Sequence, residues 1–539
     1  MKMKQRTELR HWHFSIDALG YERDVCLPHT WNVDGREDVQ LYRGRADYRA
    51  TVSLPSVEGK TAALYFGCAY HTAEVSVNGR AAGVHTGSGN TPFEIDVTGL
   101  LRAGENEIHV AVDNAPKEEM LPHMLDYDWA DDGGLTRDAA LTLYDRADLR
   151  RLDVAYDIEE QADGRCGGVL RLSAECVPQE AAVELIDWKS GETVLAQKVF
   201  LEGGVSVPFQ GLKLWSPDSP SLYTVRVRTD GDVTEKRIGL RKIEVEGERV
   251  LLNGSPVYLA GCEWMPGSHP DFGMAEPLSH SVLRLSQLKR AGCVFTRFHW
   301  QQDTSLFDWC DENGLLVQEE IPYWGRPKKA GPLQLRLAKE HADAMVRWHG
   351  HHPSIICWGV GNELDGAAQE MIRYVEEMYR YFKALDGSRL VNYVSNTVGL
   401  DQNVERDEAT LHGDIAMWNE YLGLWQRCDS VEGVIRRTFR KFEGMPGMAT
   451  EFGLCEPAYS GGDARRIAIL EERIPIYRSL PGAAGYVAFS LNDYRTHCGE
   501  AGEGKLRRRV HGSTDLYGEE KPSYRVLARL NGAEPLGPR

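Results

Sequence analysis

Two stretches of the chain share a restrictive pattern, in which a run of apolar and β-branched residues ends abruptly in a glutamate. The first run covers residues 354–361 and is followed by Asn362 and Glu363. The second covers residues 448–450 and is followed by Glu451. Such runs are typical of strands buried on both faces of a parallel sheet, with polar residues at the carboxyl end. The chain must therefore contain a buried parallel sheet.

Residues 244–539 alternate between apolar runs and helical stretches, which is typical of repeated βα units. Candidate strands cover residues 257–262, 294–298, 315–318, 355–359, 390–393, 415–418, 447–450 and 485–491. This number of strands predicts a single (β/α)8 TIM barrel, whose functional face is formed by the carboxyl ends of the strands. Both glutamates would then lie at that face. Hydrolysis of a glycosidic bond needs such a pair, because one carboxyl must protonate the leaving oxygen while the other faces the anomeric carbon.

The residues before the barrel are β-rich and divide into two segments. Short strand-like runs fill residues 1–147, and turns such as Asn78-Gly79 between alternating strands are a strong hairpin signal. We predict a jelly-roll β-sandwich there. Alternating runs continue through residues 148–243, a segment about the size of an immunoglobulin-like sandwich. The predicted fold is thus multidomain β plus α/β.

The composition excludes some functions. The net charge of −18 disfavours binding to a nucleic-acid backbone. The 11 cysteines have no zinc-binding spacing and are interpreted as free thiols in a reducing compartment. The N-terminus has no apolar signal region, and no run is long enough to cross a membrane. We therefore expect a cytoplasmic enzyme with no metal, no cofactor and no membrane or nucleic-acid partner; a homo-oligomer stays open.

Four motifs in the first segment, taken in order, resemble the sugar-binding domain of glycoside hydrolase family 2. They lie in residues 27–32, 77–79, 92–98 and 106–114. Further matches continue through the barrel to about residue 500, so the resemblance covers nearly the full chain. The family includes β-galactosidases, β-glucuronidases and β-mannosidases. The resemblance implies a three-domain, retaining exo-β-glycosidase that needs no organic cofactor and acts on a small or oligosaccharide β-glycoside.

The resemblance also implies roles at the barrel face. Glu363 matches the general acid/base, whose pKa must be raised, and Glu451 matches the nucleophile, which must stay ionised. Arg297 and Tyr421 match residues that supply positive charge and hydrogen bonds to the nucleophile. Asn362 is expected to bond the sugar 2-hydroxyl, or else to cap the strand end. Retaining chemistry further predicts carboxyl groups about 5–5.5 Å apart.

Five more residues are candidates for substrate binding. Asp128 matches a sugar-contacting acid on a loop of the first domain, although it could instead cap a turn. His299 is expected either to bind sugar hydroxyls or to support Arg297 and Glu363. Asn419 follows the sixth strand in a family motif. Trp324 is a candidate sugar platform or core residue, and Phe489 stands where the family usually has tryptophan.

Departures from the family pattern concern the sugar that is recognised. Trp300-Gln301 replaces the usual Tyr-Pro, and residues 509–514 lack the Asn-x-Lys-Gly motif that binds the uronate carboxylate in β-glucuronidases. Residues 505–509 form a basic cluster that could pair with a carboxylate, but a solvated loop or a contact with an acidic surface is the preferred interpretation. We therefore predict a β-galactosidase first. A β-glucuronidase or another glycone specificity, including a β-galactofuranosidase, is the alternative, and a catalytically inactive carbohydrate-binding protein is the alternative of another class.

Overall fold

A computed structural model of the chain describes residues 4–123, 127–160, 164–325, 330–399, 406–456, 459–497 and 507–533. Within those residues the chain forms two β-sandwiches followed by a barrel, so the predicted fold class is confirmed. No helix in these ranges is long and apolar enough to cross a membrane.

The first sandwich pairs a six-stranded antiparallel sheet with a four-stranded one. The strand orders are β3-β2-β4-β9-β6-β7 and β1-β10-β5-β8. Side chains of strand Arg45–Leu54 alternate between buried and exposed over most of its length, because one face of its sheet covers the core. The strands are β1 (Gln5–Glu8), β2 (His11–Ile16), β3 (Tyr21–Cys26), β4 (Arg45–Leu54), β5 (Thr61–Phe66), β6 (Thr72–Val77), β7 (Arg80–His85), β8 (Phe93–Asp96), β9 (Gly104–Asp113) and β10 (Ala139–Tyr144), with a short helix α1 (Glu37–Gln40).

The second sandwich has seven antiparallel strands, in sheets ordered β11-β12-β15 and β14-β13-β16-β17. A small sheet, β18-β19-β20, then leads into the barrel. The strands are β11 (Arg151–Glu160), β12 (Arg165–Glu175), β13 (Gln179–Asp187), β14 (Thr193–Leu201), β15 (Gly204–Lys213), β16 (Tyr223–Arg228), β17 (Val233–Ile238), β18 (Ile243–Glu246), β19 (Arg249–Leu252) and β20 (Ser255–Pro256).

Eight parallel strands, β21 to β28, close into a barrel in sequence order, as the alternating pattern predicted. They are β21 (Leu259–Glu263), β22 (Phe295–Phe298), β23 (Leu316–Glu320), β24 (Ile355–Asn362), β25 (Leu390–Ser395), β26 (Ala416–Asn419), β27 (Gly447–Glu451) and β28 (Ala483–Phe489). A short pair, β29 (Tyr494–Arg495) and β30 (Arg508–Arg509), follows the barrel. The helices are α2 (Leu278–Arg290), α3 (Thr304–Asn313), α4 (Pro332–His349), α5 (Gln369–Leu385), α6 (Val431–Lys441), α7 (Gly462–Ser479) and α8 (Pro522–Leu530).

The second sandwich is anchored to the amino end of the barrel, opposite the two glutamates. Trp215 is fully buried among barrel residues, and its indole N–H donates to the backbone oxygen of Asp311 at 2.8 Å. Arg241, also buried, donates to the backbone oxygens of Pro353 and Ile355. Gly314, at φ 65°, ends α3 so close to this sandwich that a Cβ atom would meet a backbone oxygen at 2.1 Å. These contacts fix the sandwich on the face where no catalysis is expected.

Candidate active site

A cavity of about 700 Å³ lies at the carboxyl ends of the barrel strands and contains both glutamates. Asp128 and Trp129, from the loop between β9 and β10 of the first sandwich, complete its wall. A larger cavity of about 1210 Å³ separates the second sandwich from α4 and contains neither glutamate. The smaller cavity is the candidate active site, because of these two cavities only it is lined by residues at the carboxyl ends of the barrel strands. Its described lining is Asp128, Trp129, Met265, His299, Trp324, Asn362, Glu363, Leu364, Asp365, Asn396, Thr397, Asn419, Tyr421, Trp425, Gln426, Glu451, Phe489, Tyr494, Arg509 and His511.

Glu363 directly follows β24 in a left-handed backbone conformation, with φ 52°. Few residues other than glycine adopt this conformation, and it is found where a site fixes the direction of a side chain. The amide of Asn419 donates to the Glu363 carboxylate at 2.9 Å and to the Asn362 carbonyl at 3.0 Å. Thr450, next to the other glutamate, donates to Asn419 at 3.1 Å. These bonds connect the ends of β24, β26 and β27.

Glu451 ends β27 and is surrounded by hydrogen-bond donors. Arg297 donates to one carboxylate oxygen at 2.8 Å, and the Tyr421 hydroxyl donates to the other at 2.9 Å. The Nε2 atom of His299 lies 3.3 Å from the first oxygen. Burial by itself would raise the pKa of Glu451, but the hydrogen bond from His299 and the charge of Arg297 together lower it to about 2. Glu451 is therefore ionised at neutral pH.

Arg297 lies behind Glu451 and is completely buried, where it contacts the Glu451 carboxylate instead of the cavity. It pairs with Glu263 at 3.2 Å and with Glu320 at 3.1 Å. Burial lowers the pKa of the Arg297 guanidinium, and the three carboxylates more than reverse that effect. The neighbouring Glu319 faces away from the cavity and bonds His349, because successive side chains of a strand point to opposite faces.

His299 lines the cavity, and its Nδ1–H group donates a hydrogen bond to the Glu263 carboxylate. Burial lowers the pKa of this imidazole, but the nearby Glu263 charge raises it to about 9. His299 is thus protonated at neutral pH and can donate to Glu451 through Nε2. The amide of Asn362 lies 3.4 Å from the same nitrogen.

In the described part of the chain, two groups of side chains are close enough together to be considered as metal ligands. The first group is Glu263, His299 and Glu451. The guanidinium of Arg297 already contacts both of these carboxylates, which disfavours a cation there. The second group is Asp308, Asp311 and His352, below the barrel. His352 bonds Asp311, which also accepts a backbone N–H, and Asp308 pairs with Arg237, so neither donor set fits a divalent ion.

Asp128 and Arg509 form an ion pair at the end of the cavity nearest the first sandwich. The Arg509 Nε atom lies 2.9 Å from one Asp128 oxygen, and the hydroxyls of Tyr494 and Thr496 donate to the same carboxylate at 3.1 and 2.9 Å. Arg509 therefore does not lie on a solvated loop, because strand β30 turns it into the cavity, where it contacts the acidic Asp128. Two members of that cluster, Lys505 and Leu506, lie outside the described residues.

Aromatic rings form much of the remaining wall. Trp324 and Phe489 both line the cavity, and the Phe489 ring lies edge-on to His511 at 5.0 Å. Burial holds the pKa of His511 well below its usual range, so this ring is neutral. Trp129 stacks on Trp300, with ring centroids 4.8 Å apart. An aromatic wall of this kind suits the C–H faces of a sugar ring.

The comparison with known proteins agrees with this architecture. Residues 13–144, 152–241 and 243–454 match the families described as "Glycosyl hydrolases family 2, sugar binding domain", "Glycosyl hydrolases family 2" and "Glycosyl hydrolases family 2, TIM barrel domain". The chain belongs to glycoside hydrolase family 2. The predicted resemblance is thereby confirmed.

Similar proteins carry several glycosidase names. A putative β-glucuronidase of Formosa agariphila is 30% identical over 355 residues, which span 63% of this chain and only 42% of that protein. A β-galactosidase of Thermoanaerobacter pseudethanolicus is 26% identical over 530 residues, spanning 89% of this chain and 65% of that protein. A solved β-galacturonidase of Eisenbergiella tayi, bound to glycerol, is 25% identical with a TM-score of 0.85, covering 99% of this chain and 97% of that one.

Sequence reasoning missed several residues of this family 2 site. Glu263 ends β21 just as Glu363 and Glu451 end their strands, so the same strand-end signal was available for it. Glu320 ends β23 in the same way and pairs with Arg297. Trp129 and His511 come from loops, and no periodic pattern indicates which loop residues turn into a cavity.

Proposed function

We propose that the protein is a retaining exo-β-glycosidase that works by double displacement. The observation that carries this proposal is the difference in environment between the two glutamates of one cavity. Glu451 is held ionised by Arg297, His299 and Tyr421, whereas Glu363 receives an amide hydrogen bond from Asn419. A low-pKa carboxylate facing a second carboxyl of different environment is what the nucleophile and the acid/base of this mechanism require.

In the first step, a Glu451 oxygen attacks the anomeric carbon and Glu363 protonates the glycosidic oxygen as that bond breaks. In the second step, Glu363 removes a proton from water, which attacks the same carbon and releases Glu451. The low pKa of Glu451 favours its departure in the second step. Asn362 and Asn419 lie beside the acid/base and are suited to bonding a sugar hydroxyl.

We further propose a hexuronic acid as the glycone, in place of the galactose predicted first from the sequence. Arg509 brings a guanidinium into the cavity, and this group binds carboxylates through paired hydrogen bonds. Most of the relatives found are named β-glucuronidases, and the Eisenbergiella protein is named a β-galacturonidase. Since the Asn-x-Lys-Gly motif is missing, Arg509 would bind the uronate carboxylate, which this motif binds in β-glucuronidases.

A β-galactosidase remains the second candidate, for one specific reason. The Asp128 carboxylate already pairs with Arg509, which reduces the positive charge available for a uronate. A neutral sugar could use the pair as acceptor and donor for its hydroxyls. The β-galactosidase of Thermoanaerobacter pseudethanolicus is among the relatives found.

Activity on p-nitrophenyl β-glycosides separates these candidates. The panel contains the glucuronide, galacturonide, galactoside, glucoside and galactofuranoside, and the variants are Arg509→Gln and the exposed control Arg508→Gln. We expect a uronide to be the best substrate, and Arg509→Gln to lower the uronide-to-galactoside ratio of kcat/KM by about 10-fold or more. A galactoside or galactofuranoside cleaved faster than both uronides would refute the uronide proposal.

The catalytic roles are tested by leaving-group dependence. Glu363→Gln should recover much of its lost kcat/KM on a dinitrophenyl glycoside, because kcat/KM reports the first step, in which a good leaving group needs no proton. Glu451→Gln should not recover on any leaving group, since it lacks the nucleophile. If no glycoside is cleaved by the unmodified protein, the enzyme proposal fails and a carbohydrate-binding protein is the remaining interpretation.

A further inference from the structure

Three adjacent loops form one wall of the cavity, on the same side as the proposed acid/base. They follow β24, β25 and β26, which are neighbours in the closed barrel. We call three cavity-lining residues of these loops the leaving-group wall: Asp365, Asn396 and Trp425. Asp128, Arg509 and Phe489 belong instead to the first sandwich and to the chain around and beyond the end of β28. Because the acid/base protonates the departing oxygen, the group that departs lies along the wall next to Glu363.

The leaving-group wall presents hydrogen-bond acceptors. The Asp365 carboxylate lines the cavity two residues after Glu363, and among the described residues no hydrogen bond or ion pair engages it. The side-chain oxygen of Asn396 is buried and likewise has no hydrogen-bond partner in the described part of the chain. Buried polar atoms in native proteins are almost always paired, so an unpaired one in a cavity wall points to a ligand that donates to it. Both groups call for a ligand rich in O–H or N–H donors.

Trp425 adds a flat apolar surface to the same wall. Its side chain is half exposed, at 50%, although most large aromatic side chains in this barrel are buried. One edge packs against Tyr421 with ring centroids 4.7 Å apart, so the exposed indole is held in place by a residue that itself bonds Glu451. A fixed, exposed indole beside acceptor groups is an arrangement that binds a sugar. The indole stacks on the C–H face of the sugar, and the acceptor groups accept hydrogen bonds from the sugar hydroxyls.

We propose that the leaving-group wall binds a neutral sugar, so that the natural substrate is a β-linked disaccharide or oligosaccharide and the group released is a sugar. This inference rests on the proposed function and adds the chemistry of the leaving group to it. The Asp365 carboxylate accepts hydroxyl protons from a neutral sugar and repels a uronic acid. An alkyl or aromatic aglycone would leave both acceptors without donors.

Reaction of the covalent glycosyl-enzyme with added sugar acceptors tests this proposal, whatever the linkage in the natural substrate. The enzyme is supplied with its best p-nitrophenyl glycoside, and sugar acceptors compete with water for the covalent intermediate. The acceptors are methyl β-galactoside, methyl β-xyloside, methyl α-rhamnoside and methyl β-glucuronide, with cyclohexanol as the apolar control at equal concentration. The measured quantity is the ratio of transfer product to hydrolysis product, which needs no correction for the amount of active enzyme.

We expect at least one neutral sugar to exceed both cyclohexanol and the glucuronide by about 10-fold, the value of one hydrogen bond to a charged group. Asp365→Ala should abolish that advantage and Trp425→Ala should reduce it. The control Glu370→Ala removes an exposed carboxylate at the start of α5 and should retain it.

Three results would overturn the inference while nitrophenol release continues normally. The first is that no neutral sugar is a better acceptor than cyclohexanol, and the second is that Asp365→Ala keeps the full advantage. The third is a preference for the glucuronide as acceptor, because it would assign an acidic leaving group. Absence of nitrophenol release from every glycoside is a different result, which refutes the proposed function itself.

Discussion

Removing the hydroxyl of Tyr421 tests how Glu451, the proposed nucleophile, is held in place. In Tyr421→Phe, Glu451 loses the 2.9 Å hydrogen bond to one oxygen and keeps Arg297 on the other. A hydrogen bond to a buried charged group contributes roughly 1.5 to 3 kcal/mol. The ring itself stays, so its packing against Trp425 is retained.

The expected result is a fall in kcat/KM of about 10- to 150-fold, if the whole contribution acts on the transition state. Loss of the bond raises the pKa of Glu451 from about 2, yet Arg297 and His299 keep the carboxylate ionised above pH 5. The pH–rate profile of Tyr421→Phe should therefore keep the shape of the unmodified protein's profile between pH 5 and 7. The rate should fall by the same factor across that range.

The assay is steady-state hydrolysis of the best p-nitrophenyl glycoside from pH 5 to 8. Tyr379→Phe is the matched control, because its hydroxyl also donates to a carboxylate at 2.9 Å, that of Asp414 outside the cavity. The control should keep its rate. A Tyr421→Phe rate within twofold of the unmodified protein, or a loss confined to low pH, would refute this account of Glu451.

Two further predictions concern stability. His299 has a pKa of about 9 against its usual 6.5 because of Glu263, so this pair stabilises the fold fully below pH 6.5 and less as pH rises through 9. The thermal midpoint of Glu263→Gln should therefore lie furthest below that of the unmodified protein near pH 6. A difference between the two midpoints that stays constant up to pH 9.5 would contradict the interaction between Glu263 and His299. Trp215→Ala should destabilise the chain by about 3–5 kcal/mol, because it empties a fully buried site between the second sandwich and the barrel. Trp188→Ala, at a 40% exposed position of the same sandwich, should change stability much less in the same thermal-unfolding measurement.

The barrel and the two glutamates could be predicted from local sequence for a definite reason. A barrel strand is covered on both faces, so it appears as a continuous apolar run, and parallel closure brings all carboxyl ends to one face. The positions of Glu363 and Glu451 follow from those two facts. The same logic applied to β21 would have predicted Glu263, whose side chain holds both Arg297 and His299.

The glycone end of the site could not be predicted in this way. Asp128 belongs to the first sandwich, whereas Arg509 belongs to the strand pair after the barrel. Glu319 and Glu320 are neighbours on one strand and differ only in the face to which their side chains point. From the sequence, Arg509 could lie on a solvated loop, against an acidic surface or beside a carboxylate, and only the structure shows its contact with Asp128 in the cavity.

What the sequence alone determined is the family, the order of the domains and the pair of glutamates, because these depend on periodicity and on residues at strand ends. What only the tertiary structure decided is which charges meet: Arg297 behind Glu451, Glu263 beside His299, and Arg509 against Asp128. Such pairs join residues far apart in the chain, and electrostatic interaction falls with distance in space and not with separation in sequence. The proposed preference for a hexuronic acid rests on the last of these pairs.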